Sequence, residues 1–107
     1  SLSDKPLVWL HGEVRTPPFS KAARLEAGLL LRSLQRGKIF TAAVATDAFI
    51  GPRCHELRII DETVSWRIVY RIDQDAIVIL EVFEKKTNRT PRHVIEACKK
   101  RLKDYES

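Results

Sequence analysis

At 107 residues and 12.3 kDa the chain has room for one domain with a modest core. Its 44% hydrophobic and 31% charged composition is that of a folded domain and excludes a disordered chain. No apolar run approaches the roughly 20 residues that a membrane-spanning helix needs, and a net charge of +5 favours acidic or polyanionic partners.

In chain order, Lys5 to His11 (KPLVWLH) is a short apolar run that reads as a first strand, broken by Thr16-Pro17-Pro18. Ser20 then serves as N-cap for a helix ending near Gly37, a natural residue for the left-handed position after a helix. Ala23, Ala27, Leu30, Leu31 and Leu34 recur at helical spacing, with Lys21, Arg24, Arg32 and Gln35 turned outward. Lys38 to Ile50 (KIFTAAVATDAFI) fits either a second short helix or an irregular loop, stopped by Gly51-Pro52.

Three strands follow. Cys54 to Asp61 puts Leu57 and Ile59 on one face and Glu56 and Arg58 on the other. Val64 to Asp73 puts Val64, Trp66, Ile68, Tyr70 and Ile72 on one face, and Ser65, Arg67, Val69 and Arg71 on the opposite one. Ala76 to Phe83 is nearly all apolar, as a strand covered on both sides should be. The links at residues 61–63 and 73–75 are short and polar, so an antiparallel meander is the economical topology. Thr90-Pro91 marks a last helix, threonine as cap and proline in the first turn, with Val94, Cys98, Leu102 and Tyr105 as its apolar stripe. The fold class is α+β: an N-terminal strand and helix (or helical hairpin), a three-stranded antiparallel meander and a C-terminal helix. Residues 1–107 form one domain, with 1–4 expected to be disordered or foreign to it.

Two cysteines, Cys54 and Cys98, make no disulfide framework, and zinc-type ligand spacings are missing. Cys54 and His55 are adjacent on a strand and point to opposite faces, which stops them sharing a metal. Without the charged start and apolar stretch of a signal peptide, the expected setting is reducing cytoplasm and the expected state is the thiol, with no cofactor or metal.

Charge is uneven along the chain. Lys85 to Lys103 holds eight Lys or Arg against one acid, Glu96, a local balance of +7, whereas the rest of the chain balances to −2. Such a block reads as a site for a polyanion or an acidic partner, or as a solvated helix face. Glu56 and Arg58 share a sheet face with Arg67 and Arg71, and Lys85 and Lys86 join them from the third strand's end. Arginine forks match phosphate oxygens and lysine adds point charge. Cross-strand pairing on an exposed face is the alternative for Glu56 and Arg58. Trp9, Trp66 and Tyr70 read as packing residues, and His11 and His93 as surface residues.

The segments GPRCHELRI (51–59), SWRIVYRID (65–73) and AIVILEVFEKKTNRTP (76–91), with the closing helix and residues 5–37, resemble the RelE/ParE toxin superfamily, in its phage-derived, HigB-like branch. The resemblance implies a RelE-like fold and the toxin of a type II toxin–antitoxin system. It further implies an mRNA interferase: a ribosome-dependent, metal-independent endoribonuclease that inhibits translation. Partners would be messenger RNA, the ribosome and a cognate antitoxin, expected to be of helix-turn-helix type, with no membrane. Arg67, in WRIVY, matches the arginine that RelE-type enzymes direct at the scissile phosphate. Lys85 and Lys86 fall where the family places a basic residue after the last strand. Glu56 and Arg58 stand where RelE proteins carry two lysines, and the Ala-rich stretch 40–49 replaces a more polar loop. The expected catalytic set is Arg67, Arg58, Glu56, Lys85 and Lys86, with Glu56 (or, less favoured, His55) as general base; Arg53, His55, Arg71, Arg89 and Arg92 would contact RNA. A ParE-like inhibitor of DNA gyrase and a decayed toxin that only binds its antitoxin are the competing readings.

Overall fold

Helix α1 spans Lys21–Gln35, and local signals set both its ends. Ser20 Oγ accepts a hydrogen bond from the Ala23 backbone N–H at 3.1 Å. At the other end Gly37, at φ 89°, lets its N–H reach Leu34 O and that of Lys38 reach Ser33 O, the paired closure of a Schellman motif. In the computed structural model, residues 4–10, 18–38 and 50–107 are described in full and 44–46 as backbone.

The remaining elements are β1 (Leu7–Trp9), β2 (Val44–Thr46), β3 (Cys54–Asp61), β4 (Val64–Ile72), β5 (Ile77–Glu84) and α2 (Arg92–Glu106). The strands form one mixed sheet in the order β1-β5-β4-β3-β2. β3 pairs antiparallel with β4, and β4 with β5, while β1 lies parallel to β5 at the far edge. The architecture is α+β, two helices on a mixed sheet.

Each helix covers one face. Ala23, Ala27, Leu31 and Leu34 of α1 pack on Leu57, Ile59, Ile68, Tyr70, Ile77 and Ile79. On the other face Val94, Cys98 and Leu102 of α2 pack on Cys54, Val69, Val78 and Leu80. β5 feeds both cores with alternate residues, the reason its sequence is apolar without a break. A bulge disturbs it: Val69 pairs with Glu81 but Tyr70 with Ile79, so Leu80 is an extra residue. Glu81 thereby turns toward α2, where Oε2 accepts from Arg101 Nη1 at 2.9 Å.

Several expectations are corrected. Residues 44–46 form neither helix nor loop but a strand on the outer edge of β3, with Val44 opposite Leu57; two β-branched residues suit extended backbone and β3 offers an edge to pair with. The rest of the Ala-rich stretch (39–43 and 47–49), His11 and the Thr16-Pro17 break lie outside the described residues. Tyr105 is exposed rather than part of the α2 stripe, and Trp9 is 41% exposed. Thr90 is not the cap of α2: Pro91 occupies that position and no side chain caps it. Among the described residues no helix is long and apolar enough to cross a membrane.

Candidate functional site

The α2 face of the sheet is longer than α2 covers. Val69, Val78 and Leu80 pack with α2 and Arg71 meets its last turn, whereas Glu56 is reached by Lys85 and Thr90 from the segment that precedes the helix; Arg58, Arg67 and Phe83 lie on the same face. Strand register makes this group. Arg58 stands directly opposite Arg67, and Arg67 directly opposite Phe83, so two guanidiniums and a ring form one row across three strands. The next row is Glu56, Val69 and Glu81.

Burial divides the row. Arg58 is exposed, whereas Arg67 is only 8% exposed. Arg67 Nη1 donates to Ser65 Oγ and, at 3.3 Å, to the carbonyl of Trp66. Its pKa is lowered, first by desolvation, then by the facing Arg58, against a smaller opposing pull from Glu56. Like charges placed opposite each other on a sheet destabilise it by about 0.2–1 kcal/mol. A bound anion between them would reverse the sign of that contact.

Glu56 is buried, 5% exposed, and both its oxygens are taken. Oε1 accepts from Thr90 Oγ1 at 2.6 Å and Oε2 meets Lys85 Nζ at 3.5 Å. The carboxylate therefore anchors the 85–90 segment to the sheet. Thr90 escaped sequence reasoning because Thr-Pro before an amphipathic run is also a helix-start signal; only the fold shows its hydroxyl committed elsewhere. Ser65 and Phe83 were missed too, Phe83 because the bulge decides which way it faces.

The other expected site residues separate. Lys86 and Arg89 are exposed on the segment leading into α2, and Arg92 is exposed as the first residue of the helix. Their position beside a helix start with no acidic residue in its first turn leaves that end strongly positive. His55 lies on the opposite face, its ring 5.6 Å from that of Tyr70, so it does not join Glu56. Arg71 and Arg53 lie at the far end of the α2 face. Arg71 is gripped by Asp73 through Nε at 2.7 Å and Nη2 at 2.8 Å, and its Nη1 donates to Glu106. The Asp73 hydrogen bonds, with Glu106, raise its pKa despite burial. Arg53 makes a looser pair with Asp73 at 3.6 Å. Among the described residues no three His, Cys, Asp or Glu side chains form a metal-ligand group.

A protein-family model described as phage-derived protein Gp49-like (DUF891) matches residues 18–103, from before α1 almost to the end of α2. The chain belongs to the Gp49-like family. That places it within the RelE/toxin–antitoxin-like superfamily. No curated protein and no solved structure matches the chain. In this Gp49-like chain the match includes every strand from β2 to β5, hence the Arg58–Arg67 row and the Glu56 anchor.

Proposed function

We propose that this Gp49-like protein is the toxin of a type II toxin–antitoxin pair, of the HigB-like kind, and cleaves messenger RNA on the ribosome. The observation that carries the reading is the direct opposition of Arg58 and Arg67, with Arg67 largely desolvated. Two arginines opposed on neighbouring strands suit a phosphate whose charge grows during attack by the neighbouring 2′-hydroxyl. In that reaction the 2′-oxygen bonds to phosphorus, the 5′-oxygen leaves with a proton, and a cyclic phosphate remains. Lys85, Lys86, Arg89 and Arg92 would hold the flanking backbone. Glu56, already bonded by Lys85 and Thr90, is better suited to positioning Lys85 than to taking the 2′-proton. An antitoxin would neutralise the cationic face by covering it.

The test is transcript-end mapping on translating ribosomes with purified protein. Arg67→Ala should slow cleavage by about 10²–10³-fold, the usual cost of losing a charge-stabilising donor. Arg67→Lys should recover only part of it, because ammonium lacks the planar fork. Undiminished cleavage by Arg67→Ala would remove the site.

A second reading has one observation in its favour. With both Glu56 oxygens engaged, the row holds cations and no open base, which also fits a toxin that acts by binding, as a ParE-like gyrase inhibitor or a decayed antitoxin ligand would. Intact transcripts together with blocked supercoiling would establish the gyrase reading over the nuclease.

A further inference from the structure

At the other end of the α2 face, between the last turns of α2 and the turn preceding β3, lies a cleft of about 450 Å³. Its walls bring together Arg53 from the turn and Lys99 and Lys103 from α2, all exposed. Ile50, Pro52 and Leu102 add apolar lining, and the buried Arg71 also lines the cleft. Arg67 and Arg71 are four residues apart on β4, so this cleft sits about 13 Å from the Arg58–Arg67 row at roughly 3.3 Å per residue.

The way Arg71 is satisfied indicates what the cleft recognises. Asp73 takes two of its nitrogens in a fork, but Nη1 is left to Glu106, which reaches over from the last turn of α2. The two partners of that last contact are unequal: the Arg71 side chain is 8% exposed and that of Glu106 is 59%. A buried guanidinium nitrogen needs an acceptor. Glu106, well solvated and on the least constrained turn of its helix, gives up little when it leaves. The chain thus carries a replaceable carboxylate at the point where the cationic walls meet.

We propose that this cleft binds an acidic segment of a partner protein: one partner carboxylate displaces Glu106 from Arg71, further acids meet Arg53, Lys99 and Lys103, and an apolar side chain rests on Pro52. A peptide suits the cleft better than a nucleic acid strand. Asp73 keeps negative charge beside Arg71 after Glu106 has left, which disfavours closely spaced phosphates, and Ile50, Pro52 and Leu102 make part of the lining apolar. The site is independent of RNA cleavage and goes beyond the nuclease reading.

The test uses the whole chain and a fluorescein-labelled peptide of glutamates and leucines, followed by anisotropy and by backbone amide shifts. Binding should weaken with salt, and shifts should centre on residues 50–53, 71 and 99–106. Reversing the exposed cations together (Arg53→Glu, Lys99→Glu and Lys103→Glu) should weaken binding by about tenfold or more. Glu106→Gln should tighten it, because the internal competitor loses its charge while Arg71 keeps an acceptor; a merely structural Glu106 would not do this. Unchanged circular dichroism shows that the variants fold. The proposal is overturned if the peptide fails to bind, if the shifts fall on Arg58 and Arg67, or if affinity ignores the reversals. It is equally overturned if oligouridylate, rather than the peptide, occupies the cleft.

Discussion

Lys85 and Glu56 show how a single pair can hold a functional segment in place. Lys85→Met would leave the Glu56 carboxylate, 5% exposed, with only the Thr90 hydroxyl. The expected loss is about 3 kcal/mol, at the low end for a broken buried pair because that hydrogen bond remains. Urea denaturation measures it, and pairing Lys85→Met with Glu56→Gln should restore most of the loss, since no charge is then stranded. His55 carries a pH signature. Its Nδ1 has no hydrogen-bond partner among the described residues, and burial lowers its pKa from 6.5. The folded chain therefore takes up this proton less readily than the unfolded chain. The resulting stability is complete above 6.5 and is lost as pH falls from there through the lowered folded value. His55→Phe should flatten the melting temperature across that window; an unchanged pH slope would assign it to other groups. Glu56 and His55 stood out in the sequence as chemistry, yet the residues that surround them, Tyr70, Lys85 and Thr90, lie 15 to 34 positions away and could not be read from it.

At the scale of the element, α1 was the most legible part of the chain and β2 the least. Ser20, the apolar spacing and Gly37 are local signals, and each is met in the helix. Ser20 also ties α1 to the sheet, because its backbone N–H donates to Asp61 Oδ2 at 2.8 Å. Ser20→Ala should cost about 1 kcal/mol in chemical denaturation, the usual effect of losing a cap. Ser20→Asn should recover most of it. Ser20→Asp, ordinarily as good a cap, should recover less, since a second carboxylate would sit beside Asp61. β2 is only Val44–Thr46, and three residues carry too little periodicity to identify a strand. Its existence rests on the pairing edge that β3 offers. The start of α2 was placed one residue early: proline marks the boundary as the cap itself, while Thr90, read as the cap, is drawn away by Glu56.

Across the whole molecule, two cores share one sheet. β4 and β5 supply Ile68, Tyr70, Ile77 and Ile79 to the α1 side, and Val69, Val78 and Leu80 to the α2 side. Neither helix can lose its packing without weakening strands that the other depends on. Leu102→Ala on the α2 side should therefore cost roughly 2–4 kcal/mol and lower together the unfolding midpoints seen by circular dichroism and by fluorescence, to which Trp66 on the α1 side contributes. A fluorescence transition that stayed in place while the circular dichroism transition moved would show that the cores unfold separately.

Residue order alone determined which side chains share a face, because alternation along a strand and spacing along a helix follow from backbone geometry. It placed Glu56, Arg58, Arg67 and Arg71 together, and Leu57, Ile59, Ile68 and Tyr70 opposite them. Only the tertiary structure decided where along the α2 face the helix would lie, because helix packing depends on surfaces brought together from distant parts of the chain. That placement divided one expected basic surface in two: the Arg58–Arg67 row, in which Arg67 alone is desolvated, and an Arg71 locked by Asp73 and Glu106 at the end of α2.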